Sequence, residues 1–242
     1  MCGRYALSAS AEDIALQFDA EKKPDAFLPA QWNISPTQPI LIVSGIDTSG
    51  DARTISKVSW GLVPNWSEDT SRASNAINAR VESVSEKPSF RSAFRKRRCL
   101  IPASGYFEWA TELGKYKPKQ PFYIHNEDES LLAMAGIYEE WINPVTSTPL
   151  TSAAIITRES VGVIAPIHHR MPVLLPKDRW AMWLSTDSLS ESKVQEYLAL
   201  LETPKPDAGL VFRPVSSAVN NARNIGPELI AGIELGEPQT LF

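Results

Sequence analysis

The pattern of apolar positions along the chain predicts many short strands and a few helices. Apolar runs rich in β-branched and aromatic residues, most of them bounded by turn residues, are typical of strands. Such runs occupy 39–43, 56–62, 99–109, 121–125, 131–141, 153–157 and 210–215. Helices are predicted at 11–18, 90–97, 177–184 and 191–202. Ser10 and Asp13 have the spacing of a capping box at the start of the first helix.

Strands with a few scattered helices indicate an α+β fold, because a doubly wound parallel sheet would alternate strands and helices regularly. The 242 residues suit one large domain or two small ones. The chain has no internal repeat, low-complexity tract or Gly/Ser linker that would divide it. We therefore expect a single domain over residues 1–230, followed by a weakly patterned tail over 231–242.

The composition excludes several classes of protein. Apolar residues make up 43% of the chain and charged residues 21%, which excludes wholesale disorder. No apolar run approaches the ~18 residues of a membrane helix, and the start lacks the long apolar stretch of a secretory signal. Two cysteines cannot build a disulfide framework. We therefore expect a cytoplasmic protein, associated with the nucleoid if the source is bacterial.

The charge of the chain limits the kinds of partner that it can bind. The formal net charge is −4, which excludes a protein coated in positive charge but allows a local basic cleft. Five positive charges fall between Arg91 and Arg98. They either flank a DNA groove or are solvated on the face of a helix, and the sequence leaves both possibilities open.

Cys2 is the residue whose position suggests chemistry. It follows Met1, and methionine is commonly removed before a small residue, which would leave an amine and a thiol on one residue. The amine can condense with an aldehyde, after which the thiol closes a five-membered thiazolidine ring on the same carbon. Alternatively, the amine can act as the base for its own thiol, as in N-terminal-nucleophile amidohydrolases. If Met1 is retained, the aldehyde chemistry is blocked.

The cysteines and histidines do not have the spacing of a metal site. Cys99 lies at the head of an apolar strand and is predicted to be a core residue. Two cysteines and three histidines lack a paired ligand spacing such as Cys-x-x-Cys, so no metal and no other cofactor are expected.

Five short sequence motifs occur in a fixed order along the chain. They are Cys2-Gly3-Arg4-Tyr5, WGLVPNW at 60–66, NARVE at 78–82, RCLIPASGYFEW at 98–109 and HHRMP at 168–172. In this order and spacing they closely resemble the SOS-response-associated peptidase (SRAP) family, whose members sense abasic sites in single-stranded DNA. The resemblance implies a mixed, mostly antiparallel sheet that curls into an open barrel with flanking helices. It also implies a thiazolidine crosslink to the ring-opened sugar, with self-processing and crosslink reversal.

The resemblance assigns roles to four central residues. Cys2 matches the residue that forms the crosslink. Asn78 matches an asparagine directed at the sugar hydroxyl or the Cys2 amine. Glu108 matches a glutamate that moves protons during ring opening and imine formation. His168 matches a histidine that assists proton transfer to sugar oxygens and the release of the crosslink.

The resemblance also implies residues that contact DNA. Arg4, Arg80 and Arg170 match phosphate-binding arginines, while Pro36 and Trp66 match apolar groups that wedge or stack beside the lesion. Each arginine is two residues from a central residue, and side chains two apart in an extended segment share a face. We therefore expect an arginine to point the same way as each of Cys2, Asn78 and His168, which would suit a sugar-phosphate backbone.

The chemistry also favours these residue types. Imine formation needs an acid to expel water, and a carboxylic acid in apolar surroundings can keep its proton near neutral pH. Glu108 is flanked by aromatic residues, which makes such surroundings plausible. Histidine suits proton transfer in both directions because its ordinary pKa is about 6.5. In an extended chain, His168 and His169 would point to opposite faces, so only one should enter the site, and His169 is expected at the surface.

The chain departs from the family pattern in one stretch. Thr157 resembles the threonine that precedes the histidine motif, but the four residues at 158–161 replace a small, Asn-containing continuation. The departure leaves a DNA contact by this loop in doubt and does not affect the four central residues.

The resulting hypothesis is a monomeric, non-membrane protein that captures abasic sites in single-stranded DNA. Two alternatives stay open. One is an N-terminal-cysteine amidohydrolase or peptidase that acts on outside substrates. The other is a noncatalytic single-strand binder, in which Cys2 is incidental.

Overall fold

A computed structural model describes residues 2–22, 26–45, 52–111 and 116–235. The predicted α+β class is confirmed, since thirteen strands and four α-helices lie in the described residues. The helices are α1 (Ala11–Phe18), α2 (Arg91–Lys96), α3 (Trp180–Trp183) and α4 (Glu191–Leu200). The first ten strands are β1 (Tyr5–Leu7), β2 (Ala20–Lys22), β3 (Gln31–Ile34), β4 (Pro39–Ser44), β5 (Arg53–Trp60), β6 (Asn78–Arg80), β7 (Arg98–Ala103), β8 (Gly105–Trp109), β9 (Pro121–Asn126) and β10 (Leu132–Ile142). The remaining strands are β11 (Pro149–Glu159), β12 (Arg170–Pro172) and β13 (Leu210–Pro214).

Five strands form a barrel, as expected, but the barrel is closed where the resemblance implied an open one. They follow one another in the order β11, β10, β7, β4 and β5, and each pair in this series is antiparallel. The ring closes through a short parallel pairing of β5 with β11, in which Ser59 and Trp60 face Ser152 and Ala153. Three short strands extend this sheet: β2 pairs with β5, and β6 and β12 pair with β11.

A second, antiparallel sheet runs in the order β13, β9, β8, β1 and β3. It contains the segment that follows Cys2 and the strand that carries Glu108. The single strand predicted over 99–109 is therefore wrong, because the chain leaves the barrel at Ser104 and continues into the second sheet as β8. Ser104 donates its backbone N–H to Ala6 at 2.8 Å. A Cβ at Gly105 would lie 2.4 Å from the Tyr123 ring, so only glycine fits this crossing.

The helix predictions hold in outline. Helix α1 has the predicted bounds, and the Ser10 side chain and the Asp13 side chain each accept a backbone N–H in a complete capping box. The helix predicted at 177–184 is divided into a 3-10 turn, Lys177–Arg179, and α3. No helix in the described part of the chain is both long and apolar enough to cross a membrane.

The end of the expected domain is tied to the second sheet. Ile230 accepts a hydrogen bond from Arg213 at 2.8 Å, and Ile233 donates its N–H to Pro214 at 2.9 Å. Residues 236–242 of the predicted tail lie outside the described residues. The division at residue 230 stays a prediction.

The core contains Cys99, as predicted from the sequence, together with several tryptophans. Cys99, Trp60 and Trp183 are completely buried and Trp180 nearly so. The indole N–H of Trp60 donates to Ile77, and that of Trp183 donates to Cys99. These bonds satisfy polar atoms that would otherwise be buried without a partner.

Candidate active site

Cys2 lies three residues before the start of β1 and is completely buried. Its backbone carbonyl accepts a hydrogen bond of 2.8 Å from the Asn78 side-chain amide. Asn78 begins β6, which is held against β11 by the parallel pairing of Asn78 with Ile155. The other amide atom, Asn78 Oδ1, is buried and has no partner among the described residues, so it remains able to accept a hydrogen bond.

Glu108 lies on β8 and is 1% exposed. Burial raises the pKa of its carboxyl to about 7, since the surroundings disfavour the charged form. Burial, and then the negative charge of Glu108, also raise the pKa of the Cys2 thiol well above its usual range. At neutral pH, Cys2 is therefore a thiol rather than a thiolate.

His168 lies beside Glu108, with 3.8 Å between its Nδ1 atom and the carboxyl Oε2 atom. Nδ1 lies 3.0 Å from the backbone nitrogen of Arg170 and 3.2 Å from its carbonyl oxygen. Burial lowers the pKa of His168 to about 4. The ring is therefore neutral in the folded protein at physiological pH.

The expectation that His168 and His169 point to opposite faces is wrong. Their rings stack with centroids 4.3 Å apart and planes 30° apart. The backbone is not extended here, because it bends to bring the Arg170 N–H onto the His168 ring. His169 is exposed, as expected, and covers one face of the buried His168 ring.

The structure thus brings Cys2, Asn78, Glu108 and His168 into one cluster. The four come from four separate parts of the chain: the segment before β1, strand β6, strand β8 and the loop before β12. In the cluster, a thiol lies beside a carboxyl that can hold or release a proton near neutral pH. A neutral imidazole and an amide oxygen complete the set of polar groups.

Arg4 does not point freely into this cluster. One of its guanidinium nitrogens donates to Asn33 at 2.7 Å and to the Val219 carbonyl at 2.8 Å. Asn33 is itself buried and donates to the carbonyl of Asn224 at 2.7 Å. The guanidinium also lies 6.0 Å from the centre of the Trp109 ring. Arg4 and Asn33 therefore fasten the segment around Val219 to the region beside Cys2.

Arg170 is also occupied. Its guanidinium forms two hydrogen bonds with the Glu82 carboxylate, of 2.6 and 3.0 Å, and a third of 2.7 Å with the Thr157 carbonyl. Arg80, by contrast, is exposed. Of the three arginines expected to bind phosphate, Arg80 is thus the one whose side chain extends into solvent. Glu82 closes the NARVE motif but was assigned no role from the sequence, and Asn33 belongs to none of the motifs.

The two apolar residues expected beside a lesion lie in surface loops. Trp66 is 62% exposed and borders a cavity of about 410 Å³ that is also lined by Val63, Pro64 and Arg72. Pro36 is half-buried in the turn between β3 and β4. Trp66 therefore presents an aromatic face to solvent, as a stacking platform requires.

The basic residues at 91–98 do not form an open groove. Arg98 is buried and donates to the carbonyls of Phe94, Trp183, Ser185 and Asp187. Arg97 pairs with the buried Glu139, and Arg95 pairs with Glu191. These three charges hold α2 against neighbouring elements, so the interpretation as a DNA groove loses most of its basis.

The loop that departs from the family pattern packs against the histidine segment. Strand β11 ends at Glu159, and the Ser160 N–H donates to the His169 carbonyl at 3.0 Å. Thr157, just before it, is buried and accepts from Arg170. The stretch at 158–161 thus supports the backbone on which His168 lies.

Comparisons with known proteins agree with the motifs. The sequence profile of the family described as SOS response associated peptidase (SRAP) matches residues 1–222. The chain is 36% identical over 231 residues to the abasic site processing protein YoqW of Bacillus subtilis, covering 95% of this chain and 99% of that protein. It is 32% identical to the abasic site processing protein HMCES of Pongo abelii, covering 88% of this chain and 68% of that protein.

Solved structures agree with the fold. A crystal structure of a protein from Bacteroides thetaiotaomicron superimposes with a TM-score of 0.78 at 27% identity, covering 96% of this chain and all of that one. A protein from Bordetella bronchiseptica superimposes with a TM-score of 0.72 at 24% identity, covering 89% of this chain, and supports the fold alone. The profile match and the identity to full-length relatives lead to one conclusion: the chain belongs to the SRAP family.

Proposed function

We propose that this protein captures abasic sites in single-stranded DNA by forming a thiazolidine between Cys2 and the ring-opened sugar, after removal of Met1. The observation that carries the proposal is the buried cluster of Cys2, Asn78, Glu108 and His168. The relatives named abasic site processing proteins support the choice of substrate.

The first part of the reaction forms an imine. The Cys2 amine attacks the C1′ aldehyde of the open sugar, which gives a carbinolamine. Protonated Glu108 then gives its proton to the departing hydroxyl, water leaves, and an iminium remains between the Cys2 nitrogen and C1′. A carboxyl whose pKa is about 7 is suited to this step, because a useful fraction is protonated at neutral pH.

The second part closes the ring. The Cys2 thiol gives its proton to the Glu108 carboxylate, the sulfur forms a bond to C1′, and the iminium π electrons move to nitrogen. Glu108 thus ends in its starting form. The same steps in reverse release the crosslink. His168, neutral and in contact with solvent-exposed His169, assists proton transfer to the sugar oxygens.

Removal of Met1 is a requirement of this chemistry, because an iminium on Cys2 needs a free amine on the residue that carries the thiol. Asn78 fixes the backbone carbonyl of Cys2. Its unpartnered Oδ1 atom accepts a hydrogen bond from the Cys2 amine or from a sugar hydroxyl. This contact orients the amine toward the aldehyde carbon.

Arg80 and Trp66 are the proposed DNA contacts best supported by their exposure. Arg80 binds a phosphate beside Asn78, and Trp66 stacks on a base next to the lesion, with Pro36 as a second apolar contact. Arg4 and Arg170 lie next to Cys2 and His168, but their hydrogen bonds within the protein favour a supporting role. Phosphate contact by these two stays a prediction.

The test is a crosslinking assay with an oligonucleotide that carries one abasic site, read on a denaturing gel after intact mass has established the first residue. We expect a covalent band that disappears in Cys2→Ala and persists in the control Cys99→Ala, because Cys99 is buried in the barrel. A band that survives Cys2→Ala would refute the linkage. Peptide turnover without an adduct would favour the amidohydrolase, and salt-sensitive binding without an adduct would favour the noncatalytic binder.

The proton-transfer role of Glu108 has its own test. Glu108→Gln keeps the size and the hydrogen-bonding capacity of the side chain but cannot donate or accept the proton. We expect slower crosslinking, with the affinity for DNA largely retained. Unchanged crosslinking kinetics would refute this role.

A further inference from the structure

Two tyrosine hydroxyls lie in the core beside Cys2 and have no part in the chemistry described so far. Tyr5 and Tyr106 are both completely buried. Neither hydroxyl has a hydrogen-bond partner in the part of the chain that the structure describes. Buried hydroxyls without partners are rare in folded proteins because they lose their bonds to water. Two of them at one site indicate donors kept for a charge that develops only during the reaction.

The strand pairing brings both rings to the same place. Tyr5 pairs directly with Tyr106 across the antiparallel strands β1 and β8, so the two side chains lie on one face of the sheet. Tyr106 and Glu108 are two residues apart on β8 and also share a face. Cys2 belongs to the same cluster of packed core residues as both tyrosines. The Tyr5 ring is fixed by an edge-on contact with Trp60 at 5.2 Å.

The electrostatics of the two phenols agree with this placement. Burial raises the pKa of Tyr5 and of Tyr106 well above the usual range, and negative charge on Cys2 raises both further. The phenols therefore keep their protons at neutral pH and can donate hydrogen bonds. The Cys2 thiol is the nearby group whose anionic form most needs such donors, because burial disfavours its charge.

We propose that Tyr5 and Tyr106 donate hydrogen bonds to the Cys2 sulfur as it loses its proton, and so allow the thiazolidine ring to close. The inference rests on the proposed function and concerns its last step. The thiol proton passes to the Glu108 carboxylate, the sulfur lone pair forms the bond to C1′, and the iminium electrons pass to nitrogen. The phenols stabilise the transient charge on sulfur and transfer no proton themselves.

The test separates the iminium from the closed ring. Wild type, Tyr106→Phe, Tyr5→Phe and the double variant react with a single-stranded abasic oligonucleotide, and each time point is quenched with and without sodium borohydride. Borohydride converts the iminium to a stable amine, whereas the thiazolidine survives denaturation without it. The difference between the two quenches measures the iminium. Tyr197→Phe, which removes a hydroxyl from another buried tyrosine on α4, is the matched control.

We expect iminium formation at the wild-type rate and ring closure slowed about tenfold or more in Tyr106→Phe, since a hydrogen bond to a charged group contributes about that much. The rate of ring closure rises with pH until the Cys2 thiol is deprotonated. In Tyr106→Phe, the pH at which this rate levels off should therefore move upward. Besides the two tyrosines, the titratable groups at Cys2 are its own amine, which is bound in the iminium at this step, Glu108 on β8 and, beyond Glu108, His168. The same shift must therefore persist in a His168→Gln background. The thermal midpoint should stay equal or rise, because the lost hydroxyl has no partner.

Ring closure at the wild-type rate in the double variant would overturn the inference. Equal slowing of both steps would also overturn it, since the hydroxyls would then act on the amine or on the fold. Absence of any adduct with wild type, in both quenches, would instead overturn the proposed function. The two failures are therefore distinguishable.

Discussion

The Glu108 carboxyl and the His168 imidazole lie 3.8 Å apart, and burial moves their pKa values in opposite directions. The pKa of Glu108 is raised to about 7 and that of His168 is lowered to about 4. Between these two values both groups are uncharged. The pair therefore avoids a buried charge over the pH range in which an acid and a neutral acceptor are both needed.

The first prediction concerns the pH dependence of stability. Glu108 holds a proton in the folded state that the unfolded chain loses near pH 4.5, so its contribution to stability falls as the pH rises from about 4.5 to about 7. His168 is neutral in the folded state but charged in the unfolded chain below about 6.5, so its contribution rises between about 4 and about 6.5. In the wild type these two slopes largely offset each other.

Single variants should reveal the two slopes. In Glu108→Gln, the free energy of unfolding should rise by about 3 kcal/mol from pH 4 to 6.5, and in His168→Gln it should fall by a similar amount from pH 4.5 to 7. Urea denaturation across this range measures both. Parallel pH profiles in the two variants would contradict the opposed pKa shifts.

The second prediction concerns the hydrogen bond that holds Cys2. Asn78→Ala removes the donor to the Cys2 carbonyl and should slow crosslinking about tenfold, because the amine is no longer held toward the aldehyde. The loss of stability should be about 1 kcal/mol. Asn75→Ala, at an exposed residue of the preceding 3-10 turn, is the control and should leave both quantities unchanged. Equal crosslinking rates in the two variants would show that Asn78 does not orient Cys2.

The third prediction separates two arginines that the sequence placed in one class. Arg80→Ala should weaken binding to single-stranded DNA and reduce the slope of log affinity against log salt by about 0.7, since one phosphate contact is lost. Its stability should be unchanged, because the side chain is exposed. Arg170→Ala leaves Glu82 and the Thr157 carbonyl without their donor and should lower the free energy of unfolding by about 3 kcal/mol.

The contrast between Arg80 and Arg170 is tested by measuring the affinity for single-stranded DNA and the free energy of unfolding in both variants. Reactivity toward a small free aldehyde should remain in Arg80→Ala, since this residue acts on the DNA and not on the amine. Loss of the small-aldehyde reaction to the same extent as the DNA reaction would contradict the phosphate role.

The fourth prediction concerns the basic segment at 91–98. Arg98→Ala should destabilise the fold by about 3 kcal/mol or more, because four backbone carbonyls lose a charged donor at once. Arg91→Ala, at an exposed residue of the same helix, should change stability by less than about 0.5 kcal/mol. If either variant reduced the salt dependence of DNA binding as Arg80→Ala does, the segment would be a DNA contact after all.

The long elements could be predicted because their own residues carry the signal. Strand β10 and helix α1 combine strong local patterns with clear ends, and a capping box marks the start of α1. The α+β class follows from the order of such elements. Cys2, Asn78, Glu108 and His168 could be identified because each lies in a short contiguous motif that resembles the family's motif.

The shortest strands could not be predicted, and they are the ones that build the site. Strands β1, β6 and β12 have three residues each, too few for any period to be recognised. They exist because a neighbouring strand, already held in a sheet, supplies hydrogen bonds to them. The directions of Arg4 and Arg170 were not predicted because each depends on a partner that is distant in sequence, Asn33 for Arg4 and Glu82 for Arg170.

The bond between Arg4 and Val219 joins residues that are 215 positions apart. During synthesis, Arg4 leaves the ribosome long before Val219, to which it donates a hydrogen bond, has been added to the chain. The Arg4–Val219 contact beside Cys2 can therefore form only after nearly all of the polypeptide has emerged. Under the proposed chemistry, a chain truncated before Val219 would carry Cys2 without this contact, so the complete surroundings of Cys2 form only when synthesis is almost finished.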